Sequence, residues 1–314
     1  MLPRSPAPSA LSRRAFLVLS GAAGATALLP SAVRAANAPA SASSSSSSAA
    51  AKAKKIPIGL ELYSVRNELV RNLPDTLRTV AKMGYETVEF FAPYADWTFP
   101  FAKGVRTLLD DIGLRCHSTH NRFPNIVPGD AMTKAIELNQ ILGTRHVIVS
   151  SPPRDTKTLE AWQRVCEQFT AAGEILKTHG LATGYHNHQT EWKLIDGTRH
   201  VMDIIAASTP PDFVLQLDVG TALEAGIDPV AWIKAHPGRI KSVHLKDWTP
   251  GKKEEGKAYR ILFGEGVAPW KEIIAAAESV GGVEYYLMEQ EGARFPEFET
   301  AQRCLDTWKQ MRRG

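Results

Sequence analysis

Lys177-Thr178-His179-Gly180-Leu181-Ala182-Thr183-Gly184-Tyr185-His186-Asn187-His188 holds the rule by which the rest of the chain can be read. A basic residue and then a glycine close a helical pattern. Cations suit the exposed carbonyls of a last helical turn, and glycine reverses the chain at little steric cost. A short β-forming run follows at once and ends in imidazoles. The same helix end recurs at Lys82-Met83-Gly84 and at His236-Pro237-Gly238. Working outward, strand patterns fall at 56–62, 87–91, 114–119, 146–150, 181–187, 213–218, 240–245 and 285–289. Helical patterns lie between and after them, at 74–83, 105–112, 130–142, 159–178, 200–207, 229–235, 269–280 and 298–311. Strands alternating with helices of this length predict parallel βαβ units. Eight of them over 56–314 predict an α/β fold closed as a (β/α)8 TIM barrel. An open doubly wound sheet is the alternative, but no strand is followed by a G-x-G-x-x-G turn.

The charge is split along the chain. Of 37 Lys and Arg residues, seven lie in the first 55 positions, which contain no Asp or Glu. The 259 residues that follow hold 30 basic and 33 acidic groups, a net of −3. The overall excess of +4 therefore belongs to the N-terminal segment, and the body carries no basic footprint for nucleic acid. Ser12-Arg13-Arg14-Ala15-Phe16-Leu17 places an arginine pair before an apolar run over 15–29, with small-residue sites at Val33-Arg34-Ala35 and Ala36-Asn37-Ala38. Basic, apolar and small-residue regions in that order read as an export signal over 1–38, and the paired arginines predict the twin-arginine export machinery as a partner and a periplasmic address. An Ala/Ser-rich leader over 39–55 would then tether the barrel. Only three cysteines occur, Cys116, Cys166 and Cys304, too few and too scattered for a disulfide framework or a thiolate metal cluster.

In a (β/α)8 barrel the reactive groups sit at the C-terminal ends of the strands. There the sequence concentrates Glu61, Tyr63 and Arg66 after strand one, Glu89 on strand two, and His117 and His120 on strand three. Strand five adds His186 and His188, strand six Gln216 and Asp218, strand seven His244, Lys246 and Asp247, and strand eight Glu289 and Glu291. Four neighbouring strands that each offer His, Asp or Glu build a mixed nitrogen/oxygen site for one divalent ion, with Mn²⁺, Co²⁺, Fe²⁺, Ni²⁺ and Zn²⁺ all compatible. Trp97, Phe99, Trp192 and Trp248 fall in loops at the same end, where aromatic faces stack on sugar rings or simply pack the loops.

Ile58-Gly59-Leu60-Glu61-Leu62-Tyr63-Ser64-Val65-Arg66, Gly184-Tyr185-His186-Asn187-His188, Leu217-Asp218-Val219-Gly220, Val243-His244-Leu245-Lys246-Asp247 and Gly264-Glu265-Gly266 together resemble the sugar phosphate isomerase/epimerase family, whose fold is the xylose isomerase-like barrel. The resemblance covers the chain from Ile56 onward. It implies metal ligands Glu, Asp, His and Glu from strands five to eight, and Asp218, His244 and Glu289 match the last three. At the first this sequence has an imidazole, His186 or, one pleat on, His188; the deeper His186 is the expected ligand. The activity implied is isomerisation or epimerisation of a keto/hydroxy sugar through a metal-stabilised enediolate. Subfamilies with the His-x-His form look more like lyases, so dehydration of a keto-sugar, keto-glycoside or keto-inositol is the alternative, and a non-catalytic sugar-binding barrel a second one. A phosphodiesterase of abasic DNA shares the barrel but needs more ligands and a cationic groove. Glu289 is the expected base, with Glu265 or Glu191 as substitutes. Lys246 and Asp247 either orient substrate or form an ion pair, and Glu61, Tyr63, Arg66, His120 and His188 complete the expected substrate site.

Overall fold

The computed structural model describes residues 55–251, 259–292 and 294–313. The signal and leader expected over 1–38 and 39–55 lie outside them, Lys55 apart. In chain order the elements are β1 (Ile58–Glu61), α1 (Arg66–Arg71), α2 (Leu73–Met83), β2 (Thr87–Phe90), α3 (Phe99–Asp111), β3 (Arg115–Asn121), α4 (Asp130–Leu142), β4 (His146–Val149), α5 (Leu159–Thr178), β5 (Ala182–His186), α6 (Val201–Ser208), β6 (Val214–Asp218), α7 (Val219–Glu224), α8 (Pro229–Ala235), β7 (Ser242–Leu245), α9 (Trp270–Ala276), β8 (Tyr285–Met288) and α10 (Glu297–Met311). Each strand pairs in parallel with the next, and β8 closes on β1, so the eight form one closed barrel. This is the (β/α)8 barrel expected from the alternation. Among the described residues no helix is long and apolar enough to cross a membrane.

Strand alternation sorts the side chains. Leu60, Val88, Val147, Tyr185, Leu215, Val243 and Met288 are buried on the face that meets the helices, together with Leu77, Val105, Phe169 and Leu305 from the helices themselves. The opposite face of the strands turns into the barrel and carries the polar residues. Gly184, inside β5, is required by a close approach: a Cβ there would come within 2.5 Å of the Val214 carbonyl oxygen on β6. Gly143 ends α4 at φ 75°, a left-handed conformation that glycine adopts without strain.

Four helices differ from expectation, the first being α1, which lies ahead of the expected 74–83 pattern. α3 starts at Phe99 rather than 105, because the Thr98 hydroxyl accepts from the Phe101 amide and Pro100 suits the first turn. α9 passes into a wide, π-type turn over Ala277–Gly281, whose Val280 and Gly281 carbonyls are taken by the amides of Gly238 and Ile240. The short α7 follows β6 without a loop, capped by Asp218 itself.

Candidate active site

A cavity of about 350 Å³ opens at the C-terminal ends of the strands, lined by Glu61, Tyr63, Phe91, His120, Ser150, Ser151, His186, His188, Glu289 and Glu291. A second cavity of equal volume lies at the other end of β4–β6, lined by Arg145, His146, Phe169, Lys177, Asp212 and Glu284 among others. Two ion pairs occupy its wall, Arg145 with Glu284 and Lys177 with Asp212. Chemistry therefore belongs to the first.

Period-two alternation along each strand delivers the donors to that cavity. His186 on β5 and Asp218 and Gln216 on β6 are fully buried, as are His244 on β7 and Glu89 on β2. Three groups of side chains each bring one donor atom per residue within 4.8 Å of one another: His186, Asp218 and Glu289; His120, His186 and His244; and Glu61, Glu89 and His120. His244 Nδ1 lies 2.6 Å from Glu289 Oε2, a member of the first group. Its Nε2 meets Glu89 Oε2 at 2.9 Å, and His120 Nε2 meets the same oxygen at 3.0 Å. Lys246 Nζ lies 3.1 Å from Asp218 Oδ2, 3.7 Å from Glu289 Oε1 and 2.6 Å from Glu291 Oε1.

Four buried carboxylates, Glu61, Glu89, Asp218 and Glu289, thus line one end of the barrel, and Lys246 reaches only Asp218 and Glu289 among them. Burying that excess is costly unless a cation answers it. Glu61 Oε2 is buried without a hydrogen-bond partner. Imidazole and carboxylate oxygen at these separations suit a divalent ion of borderline hardness, and His186, Asp218, His244 and Glu289 are the residues that can hold it.

The environments push like groups apart. Burial, reinforced by the charge of Glu89, raises the Glu61 carboxyl well above the usual carboxylate range. Burial would also raise Glu289, but the Lys246 ammonium and His244 outweigh it and hold Glu289 well below that range. Burial would lower Lys246, yet Asp218, Glu289 and Glu291 keep it protonated far above its ordinary value. His244 is likewise pushed against its burial by Glu289 and Glu89, up to about 10. Burial and neighbouring imidazoles hold His186 neutral, well below the usual range.

Of the residues expected at the site, Glu61, Tyr63, His120, His186, His188 and Glu289 line the cavity, and Asp218, His244 and Lys246 stand directly behind it. His186, not His188, joins the donor groups. Four other expected residues are not among those that line the cavity. Both Asp247 oxygens are occupied by loop donors: Trp248, Gly264, Gly266 and Ala268 amides and the Trp270 indole. Asp247 braces a loop and does not face substrate. Glu265 accepts from the Leu262 amide and pairs with Arg294, outside the cavity, so it has no position from which to act as base. Glu191 is buried and accepts from Tyr185 and the His188 amide. Arg66 donates to the carbonyls of Tyr63 and Glu291 and stacks on Tyr63, bracing two wall residues from behind. Trp97, Phe99, Trp192 and Trp248 do not line the cavity; its aromatic wall is Tyr63 and Phe91, ring centroids 5.4 Å apart.

The model of the xylose isomerase-like TIM barrel family matches residues 77–310. The chain belongs to that family. Within it, the chain is 33% identical over 107 residues to an inosose dehydratase of Lactiplantibacillus plantarum, 34% of this chain and 35% of that protein. The match thus spans about a third of the relative's length. A sugar phosphate isomerase/epimerase structure from Parabacteroides distasonis superposes with a TM-score of 0.68 at 25% identity, covering 82% of this chain and 97% of its own. A probable 3-DHS dehydratase from Bacillus anthracis, 15% identical over 81% of this chain and 99% of its own with a TM-score of 0.61, shares the fold.

Proposed function

We propose that this family member is a metal-dependent lyase that dehydrates a keto-cyclitol or keto-sugar. The observation that carries the reading is the contrast inside one cavity between Glu61, whose buried Oε2 has no partner and whose carboxyl is pushed above the usual range, and Glu289, which faces Lys246 and His244 and is held below it. Two like groups driven in opposite directions make an acid and a base. The imidazole on β5 supports it, since an epimerase needs a second ionised carboxylate there. The inosose dehydratase resemblance supports it too.

A divalent ion held by His186, Asp218, His244 and Glu289 would supply Lewis-acid polarisation of the substrate carbonyl. The chain's own residues do the rest. Ser150, Ser151, His188 and Glu291 offer hydrogen bonds to ring hydroxyls, and Tyr63 and Phe91 offer an apolar wall. Glu289 takes the proton from the carbon next to the carbonyl. The electrons of that C–H bond form the new C=C bond as the β C–O bond breaks. Glu61 gives its proton to the departing oxygen, which leaves as water. One proton passed from Glu289 to Glu61, through solvent, resets the site.

The decisive experiment incubates mature protein and Mn²⁺ or Co²⁺ with keto-inositols and 3-keto-glycosides in D2O. An unsaturated product with loss of water is expected. A saturated epimer or isomer carrying solvent deuterium would instead establish isomerisation, the second reading, which the Parabacteroides neighbour favours. For the N-terminal segment we propose twin-arginine export to the periplasm with removal of 1–38, resting on Arg13-Arg14 and the apolar run behind them. Arg13→Lys combined with Arg14→Lys is expected to leave precursor in the cytoplasm, by fractionation and mass spectrometry of the N-terminus; undiminished export would refute it.

A further inference from the structure

Beneath the ion-binding side chains lie two fully buried residues that the reaction above does not use, Glu89 on β2 and Gln216 on β6. The Gln216 amide nitrogen is 2.9 Å from Glu89 Oε1 and 2.9 Å from Ser242 Oγ. A carboxylate only accepts, so the amide must present its nitrogen to Glu89. That turns its oxygen the other way, toward His186 Nδ1 at 3.0 Å and His120 Nε2 at 2.7 Å. An amide oxygen also only accepts, so both of these ring nitrogens must carry a proton. The argument repeats at Glu89 Oε2, which claims the Nε2–H of His244. His186 is then left with its lone pair on Nε2, the nitrogen 3.9 Å from Asp218 Oδ2.

We propose that Gln216 is a positioning residue that fixes His186 as the Nδ1–H tautomer and so aims its Nε2 lone pair at the divalent ion. The inference rests on the metal reading given above. Gln216 touches neither ion nor substrate; it acts through His186, and Glu89 orients Gln216 in turn. A ligating imidazole needs its second nitrogen held in this way, and removing such a partner weakens metal binding by about 10–100-fold.

Long-range ¹H–¹⁵N correlation on ion-free, ¹⁵N-labelled protein reports which His186 nitrogen is protonated, with His186→Ala assigning the signals. The Nδ1–H pattern is expected in the unsubstituted protein. Gln216→Met, similar in length but without an acceptor, should mix the two tautomers and raise the Mn²⁺ and Co²⁺ dissociation constants, by calorimetry, about 10–100-fold. Should that variant not fold, Gln216→Asn, too short to reach both neighbours, makes the same comparison. A proton on Nε2 of the unsubstituted protein overturns the proposal, and so does a folded variant with unchanged tautomer and affinity. Unsubstituted protein that shows Nδ1–H but binds neither ion defeats the metal reading, and with it the role given to Gln216.

Discussion

Glu61 and Glu289 are the same chemical group in the same cavity, and only their neighbours make them different. Glu289 faces Lys246 and His244, whereas Glu61 faces Glu89 and has an oxygen with no partner. Glu61→Gln keeps the shape and removes the transferable proton. It is expected to lower kcat about 10²–10⁴-fold, with the affinity for the ion unchanged because Glu61 is not among the ligands. The pH profile adds a sharper readout. An acid works while protonated, and a raised pKa carries that range upward, so activity should fall as pH climbs through the raised value. That alkaline limb should vanish in the variant. Ordinary kcat in Glu61→Gln would remove Glu61 from the chemistry.

The connection between β7 and α9 shows what a sequence reveals and where it stops. In Val243-His244-Leu245-Lys246-Asp247 alternation turns His244 and Lys246 inward, which makes Asp247 an outward residue. Reading Lys246 and Asp247 as one unit passes over that period. The Gly264-Glu265-Gly266 motif is the counterpart: the amides of both glycines donate to Asp247, and a Cβ on Gly266 would come within 2.1 Å of its Oδ1. The glycines wrap a buried carboxylate, and Glu265 between them faces Arg294. Asp247→Ala strands several buried donors and should lower unfolding free energy by about 3 kcal/mol. Glu265→Gln loses one exposed pair and should change it by less than about 1 kcal/mol, with kcat kept. Urea titration and initial rates check both; a catalytic defect in folded Glu265→Gln would restore it as a candidate. Glycine punctuation and the strand periods made the barrel legible, down to the ends of α4, α5 and α8. α1 and α7 were not, since six residues, with Gly220 among those of α7, carry less than two turns of helical period. Nor were the pairings that barrel closure creates, such as Glu89 with His244, 155 positions apart.

Across the whole molecule, the barrel interior departs from the branched aliphatic filling usual in this fold. Below Gln216 and Ser242 the polar column continues to Tyr285, whose hydroxyl meets His146 Nδ1 at 2.8 Å near the opposite face. Arg145, Lys241, Glu284 and His117 surround that imidazole, but burial dominates and pushes His146 down to about 4. The sign of the consequence is fixed by linkage. Unfolded, the ring takes up a proton near 6.5, while folded it stays neutral until about 4. Above 6.5 the two states bind protons alike and His146 contributes nothing to the pH dependence. Between 6.5 and 4 the unfolded chain gains a proton that the folded one refuses, so stability is lost as pH falls, by about 3 kcal/mol in all. His146→Gln keeps an acceptor for Tyr285 and removes the titration. Urea unfolding at pH 7.5 and at pH 4.5 should therefore show a smaller acid loss in the variant than in the unsubstituted protein, the difference isolating one ring from the many carboxylates that titrate beside it. Equal acid losses in the two proteins would mean that His146 takes up its proton without unfolding, through the cavity it lines between Arg145 and Glu284.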